Sequence, residues 1–125
     1  MKYLLDTHIL LWLFDDIKKL SSQTQEALFT PNSELYVSIA SAWEVAIKIG
    51  LGKLQLDGGV RQFLQSIDEN SINVLPIRRE YLECLQTLPL HHHDPFDRLL
   101  VATATAEDFC ILTEDEKICL YGVVA

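Results

Sequence analysis

Apolar positions along the chain fall into short blocks, each closed by a polar residue and followed by a helix-period stretch. Lys2-Tyr3-Leu4-Leu5 is such a block, and it stops at Asp6. Thr7 to Phe14 then reads as a helix with Trp12 and Phe14 as packing residues, and Asp15-Asp16 closes it. Ser21 or Ser22 caps a second helix over Gln23 to Phe29, and Thr30 to Ser33 is a loop. The next block, Leu35 to Ile39, is rich in β-formers. Ser41-Ala42-Trp43-Glu44 has the Ser-x-x-Glu form of a capping box, so it predicts a helix start, with Gly50 as its stop.

The second half repeats this pattern. A glycine-punctuated connector over 51–56 leads to a helix from Val60 to Asp68, with Val60, Phe63, Leu64 and Ile67 on one stripe. Ile72 to Leu75 is a third strand ended by Pro76, and Arg78 to Leu85 is a helix. The triplet His91-His92-His93 runs into Asp94-Pro95, where Asp94 reads as N-cap, Pro95 as N1 and Asp97 as N3 of a helix reaching about Asp108. Its small residues Ala102, Ala104 and Ala106 permit close approach to a sheet. Phe109 to Leu112 is the fourth strand, Ile118 to Tyr121 a short fifth, and Gly122 to Ala125 a tail. Strands alternating with helices predict an α/β fold: a three-layer α/β/α arrangement around a central, mostly parallel sheet of four to five strands. One domain over residues 1–125 is expected at this length.

Charge narrows the function. A net charge of −8 argues against binding nucleic acid by general electrostatic adhesion, yet permits an enzyme in which divalent cations bridge carboxylates to a phosphodiester. It also suits a basic protein partner. No apolar run is long enough for a bilayer and no basic region precedes a long apolar segment, so no membrane association is expected and the cytoplasm is the expected compartment. Cys84, Cys110 and Cys119 lack C-x-x-C spacing and are expected as reduced, buried thiols. The chain has no G-x-G-x-x-G, no Walker loop and no nucleophile elbow. Three adjacent histidines do not readily converge on one ion, so His91 to His93 are expected in a solvated loop, with one of them available to contact substrate or carry a proton.

Asp6, Glu44, Asp97 and Asp115 occupy equivalent points of the strand–helix pattern. With right-handed crossovers those points face one edge of the sheet, where ligands bind in parallel α/β proteins. Four carboxylates meeting there would repel one another unless cations lay between them, and Mg2+ or Mn2+ takes such oxygen ligands. That is a route to phosphodiester hydrolysis. Caps and strand ends account for the same residues locally, which leaves a noncatalytic binding protein as the alternative.

Taken together, four stretches resemble the PIN domain family, and closely its VapC-type ribonuclease toxins of bacterial type II toxin–antitoxin systems. They are Leu4-Leu5-Asp6-Thr7-His8 with Leu11-Trp12; Ser38-x-x-Ser41-x-Trp43-Glu44 with Ala46 and Lys48; His93-Asp94-Pro95-Phe96-Asp97-Arg98-Leu99-Leu100 with Ala102 and Ala104; and Thr113-x-Asp115 with Tyr121-Gly122. The resemblance covers essentially the whole chain. It implies that Asp6, Glu44, Asp97 and Asp115 form a catalytic acidic quartet holding Mg2+ or Mn2+. Thr7 and Thr113 would orient carboxylates or water. Asp94 would assist the attacking water while capping its helix, and Arg98 would pair with a site carboxylate or contact RNA phosphate, or else pack at the helix start. The activity implied is endoribonuclease: a metal-activated water attacks phosphorus in line, leaving a 3′-hydroxyl and a 5′-phosphate. Also implied are a homodimer and a cognate antitoxin whose basic or amphipathic tail crosses the acidic groove. A PIN-type nuclease of RNA processing, or one acting on other nucleic acid, without an antitoxin, is the other reading.

Overall fold

In the computed structural model, which describes residues 1–124, the apolar blocks become the sheet. Its strands are β1 (Lys2–Leu5), β2 (Glu34–Ser38), β3 (Asn73–Leu75) and β4 (Cys110–Leu112). They lie in the order β3-β2-β1-β4, and every pairing is parallel. Strand periodicity divides the core between two faces. Leu5, Val37 and Leu112 pack on one side, while their chain neighbours Leu4, Tyr36 and Ile111 pack on the other.

Helices cover both faces, giving three layers. Residues of α1 (Thr7–Asp15), α2 (Ser22–Phe29), α3 (Ile39–Gly50) and α4 (Gly59–Glu69) fill the first face, through Ile9, Leu10, Leu28, Val45, Phe63 and Ile67. The second face belongs to α6 (Pro95–Glu107) and α7 (Glu116–Cys119), through Leu100, Val101, Ala104 and Ile118. The short α5 (Arg79–Leu85) joins this layer, and Tyr81 packs with Leu99 and Ala40. A 3-10 turn, Ile17–Lys19, links α1 to α2.

Three local expectations change. The capping box at Ser41 is not used: α3 starts at Ile39, and Ser38 is its N-cap, its Oγ accepting from Ala40 N–H at 3.1 Å. Glu44 is thereby released from any capping duty. The fifth strand is replaced by α7, because the Asp115 carboxylate accepts from the N–H groups of Lys117 and Ile118 and starts a helical turn there. Only Val124 bridges to Ile111, and Ala125 of the expected tail lies outside the described residues. The cysteines are unpaired, but they are not buried: Cys84 and Cys110 are half-buried and Cys119 is exposed.

The chain passes β1, β2, β3 in one direction and then returns to place β4 on the far side of β1. The crevice between β1 and β4 is thus the topological switch point, where a parallel sheet opens a ligand site at its carboxyl edge. Leu5 is in register with Leu112, and Asp6 N–H extends the ladder to Leu112 O at 3.1 Å. Continuing that register sets Asp6 beside Thr113.

Leu5 is 0 % exposed at the centre of the first core layer. Leu5→Ala should cost about 2–5 kcal/mol of folding stability, measured by chemical denaturation. A loss below about 1 kcal/mol would contradict a central, close-packed β1.

Candidate active site at the carboxyl edge of the sheet

Asp6 ends β1 and also caps α1. Its Oδ1 accepts from Ile9 N–H at 2.8 Å, and its Oδ2 accepts from the Thr113 hydroxyl. The register of two parallel strands therefore supplies the hydroxyl that orients this carboxylate. Asp6 is 4 % exposed, and burial raises its pKa against the lowering pull of those hydrogen bonds.

Glu44 stands in the middle of α3 and is also buried. Thr7 Oγ1 donates to its Oε1 at 2.7 Å, and Lys48 Nζ lies 3.0 Å from its Oε2, one helical turn on. Ser41, one turn earlier on the same helix, is buried. Its Oγ is the one buried side-chain polar atom without a partner among the described residues.

Asp94 and Asp97 divide the work at the start of α6. The cap belongs to Asp94, whose Oδ1 accepts from Phe96 N–H at 2.8 Å and Asp97 N–H at 3.1 Å. The Asp97 carboxylate is left to point elsewhere, and it meets His92. The solvated histidine loop does not hold for this residue, since His92 is only 9 % exposed. Asp94 N–H donates to His92 Nδ1 at 3.0 Å, which makes Nδ1 the acceptor and leaves the proton on Nε2. Nε2 lies 3.0 Å from Asp97 Oδ2 and 3.1 Å from Asp115 Oδ2. One imidazole N–H thus bridges two carboxylates from different elements.

Electrostatics tie these groups together. Burial raises the Asp97 carboxyl to about 7, with the negative charges of Asp94, Glu44 and Asp115 adding to the rise and His92 opposing it. Burial alone would raise Asp115 too, but the His92 hydrogen bond and the N–H groups of Ile118 and Lys117 outweigh it and lower its pKa. Asp115 in turn adds to the rise at Asp6. Negative charge is therefore under-compensated at Asp97 and Asp6, a setting that favours a cation. Ligand atoms of His92, Asp97 and Asp115 all lie within 4.8 Å of one another, an arrangement able in principle to hold a metal ion.

A family model for the PIN domain matches residues 3–123. The chain belongs to the PIN domain family. Among solved structures, VapBC2 of Rickettsia felis, bound to a DNA fragment from its promoter, superposes with a TM-score of 0.72 at 17% identity, over 99% of this chain and 96% of that one. VapBC-1 of nontypeable Haemophilus influenzae gives 0.69 at 20% identity, over 97% and 92%. A toxin–antitoxin complex from Klebsiella pneumoniae gives 0.58 at 19% identity, over 90% and 86%. At these identities the likeness is one of fold. No curated protein matches the chain by sequence.

Within this PIN domain Arg98 pairs with no carboxylate among the described residues. Its guanidinium donates to the carbonyls of Pro89, His92 and Leu85, at 3.1, 3.4 and 3.3 Å, and Nη1 lies 3.2 Å from the Tyr121 hydroxyl. The Tyr121 hydroxyl accepts from the N–H groups of His91 and His92 and donates to Pro89 O. Arg98 and Tyr121 thus hold the loop that presents His92. Sequence reasoning kept one of the three histidines available for the site without singling out His92, and it missed the Lys48 pairing. The four-residue spacing of Glu44 and Lys48 was a legible helix signal for the latter.

The raised Asp97 value has a stability consequence with a definite sign. Its folded pKa lies above the unfolded value of about 3.9, so its contribution is fully present below that value and lost as pH rises through about 7. In metal-free protein, Asp97→Asn should therefore become progressively more stabilising, relative to the parent, from about pH 4 to 7. Urea denaturation at several pH values measures the difference, and a pH-independent difference would refute it.

Proposed function

We propose that this PIN domain is a Mg2+- or Mn2+-dependent endoribonuclease and the toxin of a type II toxin–antitoxin pair. The observation that carries the reading is the His92 bridge between Asp97 and Asp115, beside carboxylates whose burial outruns their compensation. Asp6, Glu44, Asp97 and Asp115 would hold the ion, and the oxygen-rich donor set suits a hard cation. A bound divalent ion there would lower the pKa of water and stabilise charge on the transferring phosphoryl group.

The chain's own residues supply the positioning. Thr113 fixes Asp6 and Thr7 fixes Glu44, so each carboxylate has one oxygen held by a neighbouring hydroxyl. His92 holds Asp97 and Asp115 together through its Nε2 proton. Asp94 caps α6 and thereby sets the direction of Asp97. Water adds to phosphorus as the P–O3′ bond breaks, giving a 3′-hydroxyl and a 5′-phosphate.

The partner reading draws on the toxin–antitoxin complexes of the same fold and on the −8 charge. An arginine or lysine in an antitoxin tail would satisfy the carboxylates as the ion does. Trp43 is exposed and stands edge-on to Phe96 with ring centroids 5.2 Å apart, next in sequence to Glu44 and Asp97 respectively. That pair offers an amphipathic tail an apolar seat. A homodimer in the cytoplasm completes the proposal.

Asp97→Asn should lower RNA cleavage by about 100-fold or more, in line with removal of a group acting on transition-state charge, while circular dichroism and thermal melting show the fold retained. Mn2+ uptake measured by calorimetry should fall with it. Cleavage by the folded variant at the parent's rate would overturn the assignment. Thr113→Val should weaken Mn2+ affinity by about 10–100-fold, and unchanged affinity would remove the hydroxyl from the site's support.

A further inference from the structure

A groove of about 570 Å³ runs beside the carboxylates, between α1 on one side and α3, the connector and α4 on the other. Three lysines line it, Lys19 from the turn after α1 and Lys48 and Lys53 from the end of α3 and the connector, although the chain as a whole is acidic. Lys19 and Lys53 are exposed and make no ion pair among the described residues. Lys48 is the exception: it pairs with Glu44 at 3.0 Å, and so forms a wall shared with the candidate site. His8 and Trp12 project from α1 into the same groove, with ring centroids 5.9 Å apart. His8 also lies close enough for its charge to act on the Asp6 carboxyl. Asp15 and Asp57 share the lining.

We propose that this groove carries the single-stranded RNA that enters the active site, with a base stacked on Trp12 and backbone phosphates against Lys53 and Lys19. The proposal rests on the nuclease reading of the neighbouring carboxylates. Two needs of a single strand are met in one groove: lysine cations for phosphates and an aromatic face for a base. Every base has a π-face, so stacking on Trp12 supplies affinity without demanding a sequence. Asp15 and Asp57 add acceptors for exocyclic amino groups, the contact that reads a cytosine N4. Asp15 and Asp57 offset part of the positive charge of the lining, so the phosphate contacts fall to the two lysines without an ion-pair partner among the described residues, Lys19 and Lys53.

The test uses Trp12 fluorescence in a Trp43→Phe background, with Asp97→Asn to prevent turnover and a ten-nucleotide single-stranded RNA as probe. Binding should quench Trp12, and Lys19→Glu with Lys53→Glu should raise Kd at least about tenfold. The slope of log K against log salt should become shallower by about 0.7 for each lysine removed. In the catalytically intact chain the same pair should raise KM far more than it lowers kcat. Lys2→Glu, an equal charge change at the opposite end of β1, should leave the salt slope in place. Trp12→Phe should keep most of the affinity, and Trp12→Ala should lose it in protein shown to be folded.

Cleavage that proceeds with KM unmoved by both lysine changes would overturn the groove and leave the nuclease reading standing. RNA that quenches Trp12 without being cleaved by the intact chain would do the reverse. Quenching by a purified partner protein but not by RNA would overturn the groove as an RNA track.

Discussion

Crowding of negative charge at one sheet edge is the constraint on which the rest of this structure depends. Asp6, Glu44, Asp97 and Asp115 come from four different elements, and burial and mutual repulsion push Asp97 and Asp6 toward their neutral forms. The protein meets that cost with many small compensations. Hydroxyls of Thr113 and Thr7 bond Asp6 and Glu44, Lys48 pairs with Glu44, and N–H groups at helix starts bond Asp6 and Asp115. The His92 N–H bridges the remaining two carboxylates. Each is worth about 1–3 kcal/mol at most as a hydrogen bond to a charged group. A divalent cation concentrates more positive charge at one point than any of them.

The fold supplies this edge for reasons unrelated to chemistry. A parallel sheet ends all its strands on one side, and a strand order that reverses at β1 opens a crevice there. Pairing of Leu5 with Leu112 then fixes which polar residues meet beyond the strand ends. The Asp6–Thr113 contact spans nearly the whole chain, yet it requires nothing beyond continuation of a ladder. Packing on both sheet faces, through neighbours such as Leu4 and Leu5, keeps that register from slipping.

Elements defined by local signals were legible in the sequence. Strand β1, a serine cap for α2 (Ser21 of the two candidates, Ser21 and Ser22) and the Asp94-Pro95 start of α6 all follow from adjacent residues. Two of the failures share one cause, competition between local signals that only tertiary packing decides. Ser38 and Ser41 both offer a cap, and Ser38 prevails because α3 must begin where β2 ends. Ile118 to Tyr121 has strand-like composition, but Asp115 just before it caps a helix, and the bridge to Ile111 comes from Val124 instead. His92 was misjudged for a different reason. A histidine in a polar triplet reads as solvated until Tyr121 and Arg98, both distant in sequence, are seen to hold its loop.

That loop shows why the cap and the site at α6 cannot be treated as rivals. Asp94 binds the orphan N–H groups of the helix start with its side chain, and its own N–H fixes the tautomer of His92. The helix start frees the Asp97 carboxylate from capping, and the fixed tautomer turns an imidazole proton toward it. A change at Asp94 would therefore act on the site through two routes at once: a frayed first turn and a histidine free to reverse its donor and acceptor. Neither route requires Asp94 to touch a substrate, so a loss of activity on its substitution is no evidence for a direct chemical role.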